Sequence, residues 1–196
     1  MKNIKSKLVK CLATAILSAS PMLITNCKKK DSVRDYVIPG LECEFYEVYD
    51  LDDLLDKSKK KPIAEEAKCQ DNQYDNITLT LIKYQKENSA KEDFESEYEG
   101  RIEGEKRWRS KWGSPPWIKA HDIQTCDLGD QCFIQRRIEI HYRSYIFDYF
   151  IRYKNFMVHI ELEHVENSNY TYFNLETQRA WSLAKQQIEI ITQKSK

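Results

Sequence analysis

A chain of 196 residues has room for one domain after a processed leader. Hydrophobic residues at 41% and aromatics at 12% suffice for a packed core, which argues against wholesale disorder. The 31 basic and 31 acidic residues balance to zero, but the first ten residues hold four lysines (Lys2, Lys5, Lys7, Lys10) and no acid. Without that stretch the body carries 27 basic against 31 acidic residues and no long basic stripe, a poor match to nucleic-acid binding.

From Cys11 to Ile24 the chain is apolar or small, broken by Thr14, Ser18, Ser20 and Pro21. A basic start followed by such a run is the secretory pattern, and the run is too short for a spanning helix, which needs about 20 apolar residues. It ends in Leu23-Ile24-Thr25-Asn26-Cys27, followed by Lys28-Lys29-Lys30-Asp31. This resembles a bacterial lipobox, in the looser form found in spirochaete lipoproteins, because Asn26 stands where the strict pattern has Gly, Ala or Ser. The resemblance implies that residues 1–26 are a signal peptide and that Cys27 is lipidated, with palmitate or similar chains. Residues 27–40 would form a tether, and 41–196 one folded domain. The location implied is the cell envelope, at the outer membrane or cell surface rather than the inner membrane. Each buried CH₂ contributes about 0.8 kcal/mol, so two or three acyl chains hold permanently where one is reversible. Cleavage without lipidation, giving a secreted soluble protein, is the alternative.

Once Cys11 leaves and Cys27 is lipidated, the body keeps Cys43, Cys69, Cys126 and Cys132. An even number in an exported chain reads as two disulfides. Of three connectivities, Cys43–Cys69 with Cys126–Cys132 is expected, since Leu128-Gly129-Asp130 suits a tight turn inside the second pair. The spacing is not that of a zinc site, and no Cys-x-x-Cys redox motif occurs.

Taken in order, Cys43 to Tyr49 reads as a strand. Asp50 to Leu55 reads as a short helix with Asp50 as N-cap, and a lysine-rich loop runs from Lys57 to Lys61. Asn76 to Gln85 alternates as a strand. Ser89-Ala90-Lys91-Glu92 forms a capping box for a helix presenting Phe94, Tyr98 and Ile102. That helix runs toward Trp108 and Trp112, with Gly100 and Gly104 weakening it and Pro115-Pro116 ending it. Strands are expected over Trp117–Ile123, around Ile138–Tyr142, over Phe147–Tyr153, and over Phe156–Leu162 after a Lys154-Asn155 turn. An Asn-rich loop (167–174) precedes a helix over Glu176–Thr192, whose stripe is Ala180, Leu183, Ala184, Gln187, Ile188 and Ile191. The expectation is α+β: four to five antiparallel strands, two main helices packed on one face, the other face polar, in the order β-α-β-β-β-β-α.

This succession is similar to exported lipoproteins of unknown function, chiefly actinobacterial, related to the extracellular sensor domain of mycobacterial serine/threonine kinases. The features that match are Cys43 before an acidic helix, Cys69 before the 76–85 strand, the capped helix, Leu128-Gly129-Asp130, the Arg152-Tyr153-Lys154-Asn155 turn and the C-terminal helix, over residues 41–193. The Cys126–Cys132 pair and the lack of a glycine beside Asn155 depart from it. The resemblance implies a sheet-based domain with a ligand cleft and no reaction.

Two constellations stand out. His141, His159 and Glu161 lie on outward strand faces, where convergence would suit a metal-dependent or hydrolytic enzyme. A solvated mixed-charge face is the favoured reading of them. His121-Asp122 lacks a nucleophile motif, and no phosphate-cradling glycine loop is present. Trp108, Trp112 and Trp117, interleaved with Arg107, Arg109 and Lys111, form a possible binding patch if exposed and core if buried. The expectation is a non-enzymatic envelope lipoprotein without metal or cofactor, held to the membrane by lipid and binding an unidentified ligand or protein.

Overall fold

The computed structural model describes residues 31–49, 62–113, 118–139, 144–165 and 170–196. The leader, Cys27, the expected helix at 50–55, the lysine-rich loop, Trp117 and His141 lie outside the described residues. Seven strands form one antiparallel sheet: β1 (Glu42–Val48), β2 (Ala64–Asp71), β3 (Tyr74–Tyr84), β4 (Ile118–Thr125), β5 (Gln131–Glu139), β6 (Ser144–Tyr153) and β7 (Phe156–Val165). Their spatial order is β1-β2-β3-β7-β6-β5-β4. A three-strand meander and a four-strand meander are thus joined where β3 pairs with β7. Helix α1 (Glu87–Trp112) connects the meanders and α2 (Tyr170–Lys194) follows β7.

The fold class is α+β as expected, but the sheet has seven strands rather than four or five. The strand absent from the sequence reading is β2, whose Ala-Glu-Glu-Ala-Lys-Cys-Gln-Asp run is poor in β-branched residues. Its neighbours hold it. Cys43 and Cys69 are register partners on β1 and β2, and they are joined by a disulfide.

The two helices lie on opposite faces, which corrects the expectation that both share one. Strand alternation sends Ile77, Leu79 and Leu81 of β3, Phe147, Tyr149 and Ile151 of β6, and Val158, Ile160 and Leu162 of β7 to one face. There they pack with Ala180, Leu183, Ala184, Ile188 and Ile191 of α2. Residues of the other parity, including Tyr84, Phe133, Phe150 and Met157, meet Ala90 and Phe94 of α1. The expected α2 stripe is buried as read from the sequence, Gln187 included, whose Nε2 donates to the Tyr36 carbonyl at 2.7 Å.

Three boundaries also differ. Val33, Tyr36 and Ile38 are buried with the α2-side core, so the folded unit begins before residue 41 and takes in part of the expected tether. Helix α1 starts at Glu87 with Lys86 as N-cap and no capping side-chain bond, which leaves Ser89 inside the first turn rather than at a capping box. Helix α2 begins at Tyr170, inside the expected Asn-rich loop. Gly100 and Gly104 do not interrupt α1. It ends at Gly113, with φ +68°, a conformation that glycine adopts without strain.

Candidate functional site

Two features of the α1 side merit functional scrutiny: a polar network under the middle of the helix and a cleft near its N-terminal half.

The network grows from one register row. Phe133 of β5, Phe150 of β6 and His159 of β7 are successive cross-strand partners. Their rings form a continuous stack, with Phe133 and Phe150 centroids 4.6 Å apart and Phe150 and His159 4.1 Å apart and nearly parallel. One row on, Asp148 is 5% exposed, and its Oδ1 accepts from His159 Nε2 at 3.1 Å. Arg101 of α1 closes the network from above. Its Nη1 donates to Gln135 Oε1 at 2.8 Å and lies 3.4 Å from Asp148 Oδ2, while its Nε donates to Glu97 at 2.7 Å. The guanidinium also lies 4.9 Å from the Phe150 ring centre, a cation–π distance.

His159 therefore does not sit on a solvated face, as its strand parity suggested. The helix covers that face, and the imidazole is committed to Asp148 and Phe150. Glu161 shares the face, partly buried. His141 lies outside the described residues, so the three-residue convergence is not defined. Among the described residues no group of three or more His, Cys, Asp or Glu side chains is placed to hold a metal ion. Arg101, Asp148 and Gln135 were not singled out from sequence. The available signal was Asp148 itself, a lone carboxylate within Ser-Tyr-Ile-Phe-Asp-Tyr-Phe, which a buried setting tolerates only with partners.

The second feature is a cleft of about 290 Å³ between α1 and the start of β5. Phe94, Glu95 and Tyr98 line it from the helix, Thr125 and Cys126 from the end of β4, and Gln131, Cys132 and Phe133 from β5. Cys126 and Cys132 are disulfide-bonded, as expected, and the pair packs with the α2-side core, so the bridge anchors the end of the cleft from behind. Trp108 is not part of that lining: it lies ten residues beyond Tyr98 along α1, roughly 15 Å at 1.5 Å per residue. Trp108 is partly buried, and neither the Trp112 side chain nor Trp117 is described.

The turn inside that disulfide is built on the β6–β7 hairpin. Asp130 donates its amide to the Arg152 carbonyl at 2.8 Å and accepts the Lys154 amide on Oδ2 at 2.7 Å. Arg152, only 8% exposed, donates from Nε to Gln131 Oε1 at 2.6 Å, which fixes that amide at the edge of the cleft. On the α2 side of the same strands, Arg136 grips Asp122 through Nε and Nη2, at 2.9 and 2.6 Å, and that pairing holds the carboxyl below its ordinary range. Beside it, burial raises the Tyr149 phenol to about 12.

No helix among the described residues is long and apolar enough to cross a membrane. Comparison with family models, with curated proteins and with solved structures finds no match to this chain.

Proposed function

We propose that this chain is a lipid-anchored protein of the bacterial cell envelope, at the outer membrane or cell surface, whose folded domain is a binding module rather than an enzyme. The observation that carries this reading is that all four body cysteines are paired, Cys43 with Cys69 and Cys126 with Cys132. Disulfides persist in oxidising compartments, and an export leader ending at Cys27 accounts for arrival in one. The resemblance to exported sensor-like lipoproteins, which implies a sheet-based domain with a ligand cleft, fits the same proposal. The candidate contact surfaces are the α1-side cleft and the segment bearing Trp108, Trp112 and Trp117.

Intact mass with metabolic lipid labelling tests the anchor. The expected product begins at Cys27, carries diacylglycerol and acyl mass, and is four hydrogens lighter than its reduced form. A product beginning elsewhere, or with an unmodified Cys27, ends the membrane assignment. For the tryptophan segment, Trp112→Ala and Trp117→Ala are expected to leave the unfolding midpoint intact while abolishing partner capture. Loss of folding would mark them as core.

A further inference from the structure

We infer that the cleft between α1 and the Cys126–Cys132 turn binds a small, neutral aromatic molecule carrying a hydrogen-bond acceptor, of the aryl amide or aryl ketone class. This rests on the binding-module reading above and names its ligand.

Size comes first. At about 290 Å³ the cleft lies near the lower limit of small-molecule sites, which run from about 300 to 1,000 Å³. A helix or folded segment does not fit; a substituted ring does.

The walls select an aromatic. Phe94 and Phe133 are buried, with centroids 5.4 Å apart in edge-to-face geometry, and Tyr98 leans on Phe133 at 5.1 Å. Phe133 is backed by Phe150, and Phe150 by His159, so this wall is three rings deep. A wall so supported is set before the ligand arrives, which lowers the cost of binding.

Polar groups select the substituent. Gln131 lines the cleft, and its Oε1 is committed to Arg152, so the amide nitrogen is the group left to donate inward. Thr125 adds a hydroxyl at the rim. A ligand acceptor answers both. Glu95 lines the same cleft and lies 3.8 Å from Lys91 in an exposed pair, a weak tie that leaves a carboxylate beside the site. A ligand carboxylate would meet that charge, so the acceptor is a neutral carbonyl.

Saturation-transfer NMR on the full chain in detergent tests this with benzamide, cyclohexanecarboxamide and benzoate. Benzamide is expected to show saturable transfer, about threefold to tenfold tighter than cyclohexanecarboxamide. Benzoate should bind more weakly than benzamide, and Glu95→Gln, an exposed substitution, should narrow that difference. Tyr98→Ala should weaken benzamide at least tenfold. If Tyr98→Ala unfolds the chain, the Glu95→Gln comparison decides alone. Equal affinity for benzamide and its saturated analogue overturns the ligand class and leaves a binding site. Transfer to none of the three, from a chain that melts cooperatively, overturns the site. Neither result bears on the Cys27 lipid, which the mass measurement settles separately.

Discussion

Gly129 abuts the backbone of Arg152: a Cβ at that glycine would lie 2.5 Å from the Arg152 carbonyl oxygen and 2.8 Å from Ile151 Cγ2. With φ at +73°, the position is closed to other residues by both conformation and space. The contact seats the Cys126–Cys132 turn on the β6–β7 hairpin, and the turn shapes the cleft. Gly129→Ala is expected to cost about 2–4 kcal/mol, combining left-handed strain with overpacking. Urea denaturation should show a lowered midpoint. A change under about 0.5 kcal/mol would mean the turn is not seated there.

The two disulfides should differ in worth. Cys43–Cys69 spans 26 residues and Cys126–Cys132 spans 6. Loop-entropy arguments give about 3.5 kcal/mol for the longer loop and about 2 kcal/mol for the shorter. Replacing each pair with alanines and comparing unfolding free energies checks the ranking. Greater loss from the shorter pair would contradict it.

Arg101 and Asp148 should be energetically coupled. Arg101 joins α1 to Gln135 and Asp148, so removing it strips the buried carboxylate of one of its two charged or ionisable neighbours. A double-mutant cycle with Arg101→Met and Asp148→Asn is expected to give a coupling of about 1–2 kcal/mol. Additive effects would show that the Arg101–Asp148 contact adds nothing to the apolar packing of Ala90, Phe94 and Tyr98.

At high pH, Tyr149 should limit stability. Burial raises its phenol from 10.0 to about 12, so the neutral form is favoured in the fold. The stability this represents is present in full below pH 10. It declines as pH rises through the interval to 12, where the unfolded chain ionises first. Tyr149→Phe should flatten the alkaline limb of a stability–pH curve between those values. An unchanged slope would count against the burial argument.

At low pH the sign reverses for Asp122. The Arg136 bond depresses its folded value, so its contribution is present above the ordinary carboxylate range and is lost as pH falls through the folded value. Asp122→Asn should make the acid limb shallower. The side chain is 32% exposed, so the effect should shrink in high salt.

Alternation and helical stripes made β3, β6, β7 and α2 legible, because their buried residues are large and regularly spaced. Two features resisted. In β2, Ala64 faces α1 whereas Ala67 and Cys69 face α2, and Glu65, Glu66 and Lys68 intervene, so no large apolar residue marks a face. Partners on both sides, and the Cys43 bridge, make it a strand. The placement of α1 was hidden differently. Beyond Phe94 and Tyr98 its inward face continues as Arg101, and the strands below present Gln135, Asp148 and His159. A polar helix face and a polar sheet face each read as solvent-exposed alone. Together they satisfy one another, and pairwise chemistry of that kind leaves no periodic trace. The cleft was illegible for a similar reason, since it brings residues of α1 against the two ends of a later hairpin, and nothing in either stretch alone marks the pairing.

The β3–β7 seam governs when folding can finish. Leu79 and Ile160, register partners at the middle of the sheet, are far apart in sequence, and β7, which completes the seam, follows every other described strand. Neither half of the sheet gains its central neighbour until that strand arrives, so pairing across the seam waits on a contact of long sequence separation. Pairing at that separation is slow to form, and on the proposed export route a slow seam favours passage of the chain before it folds.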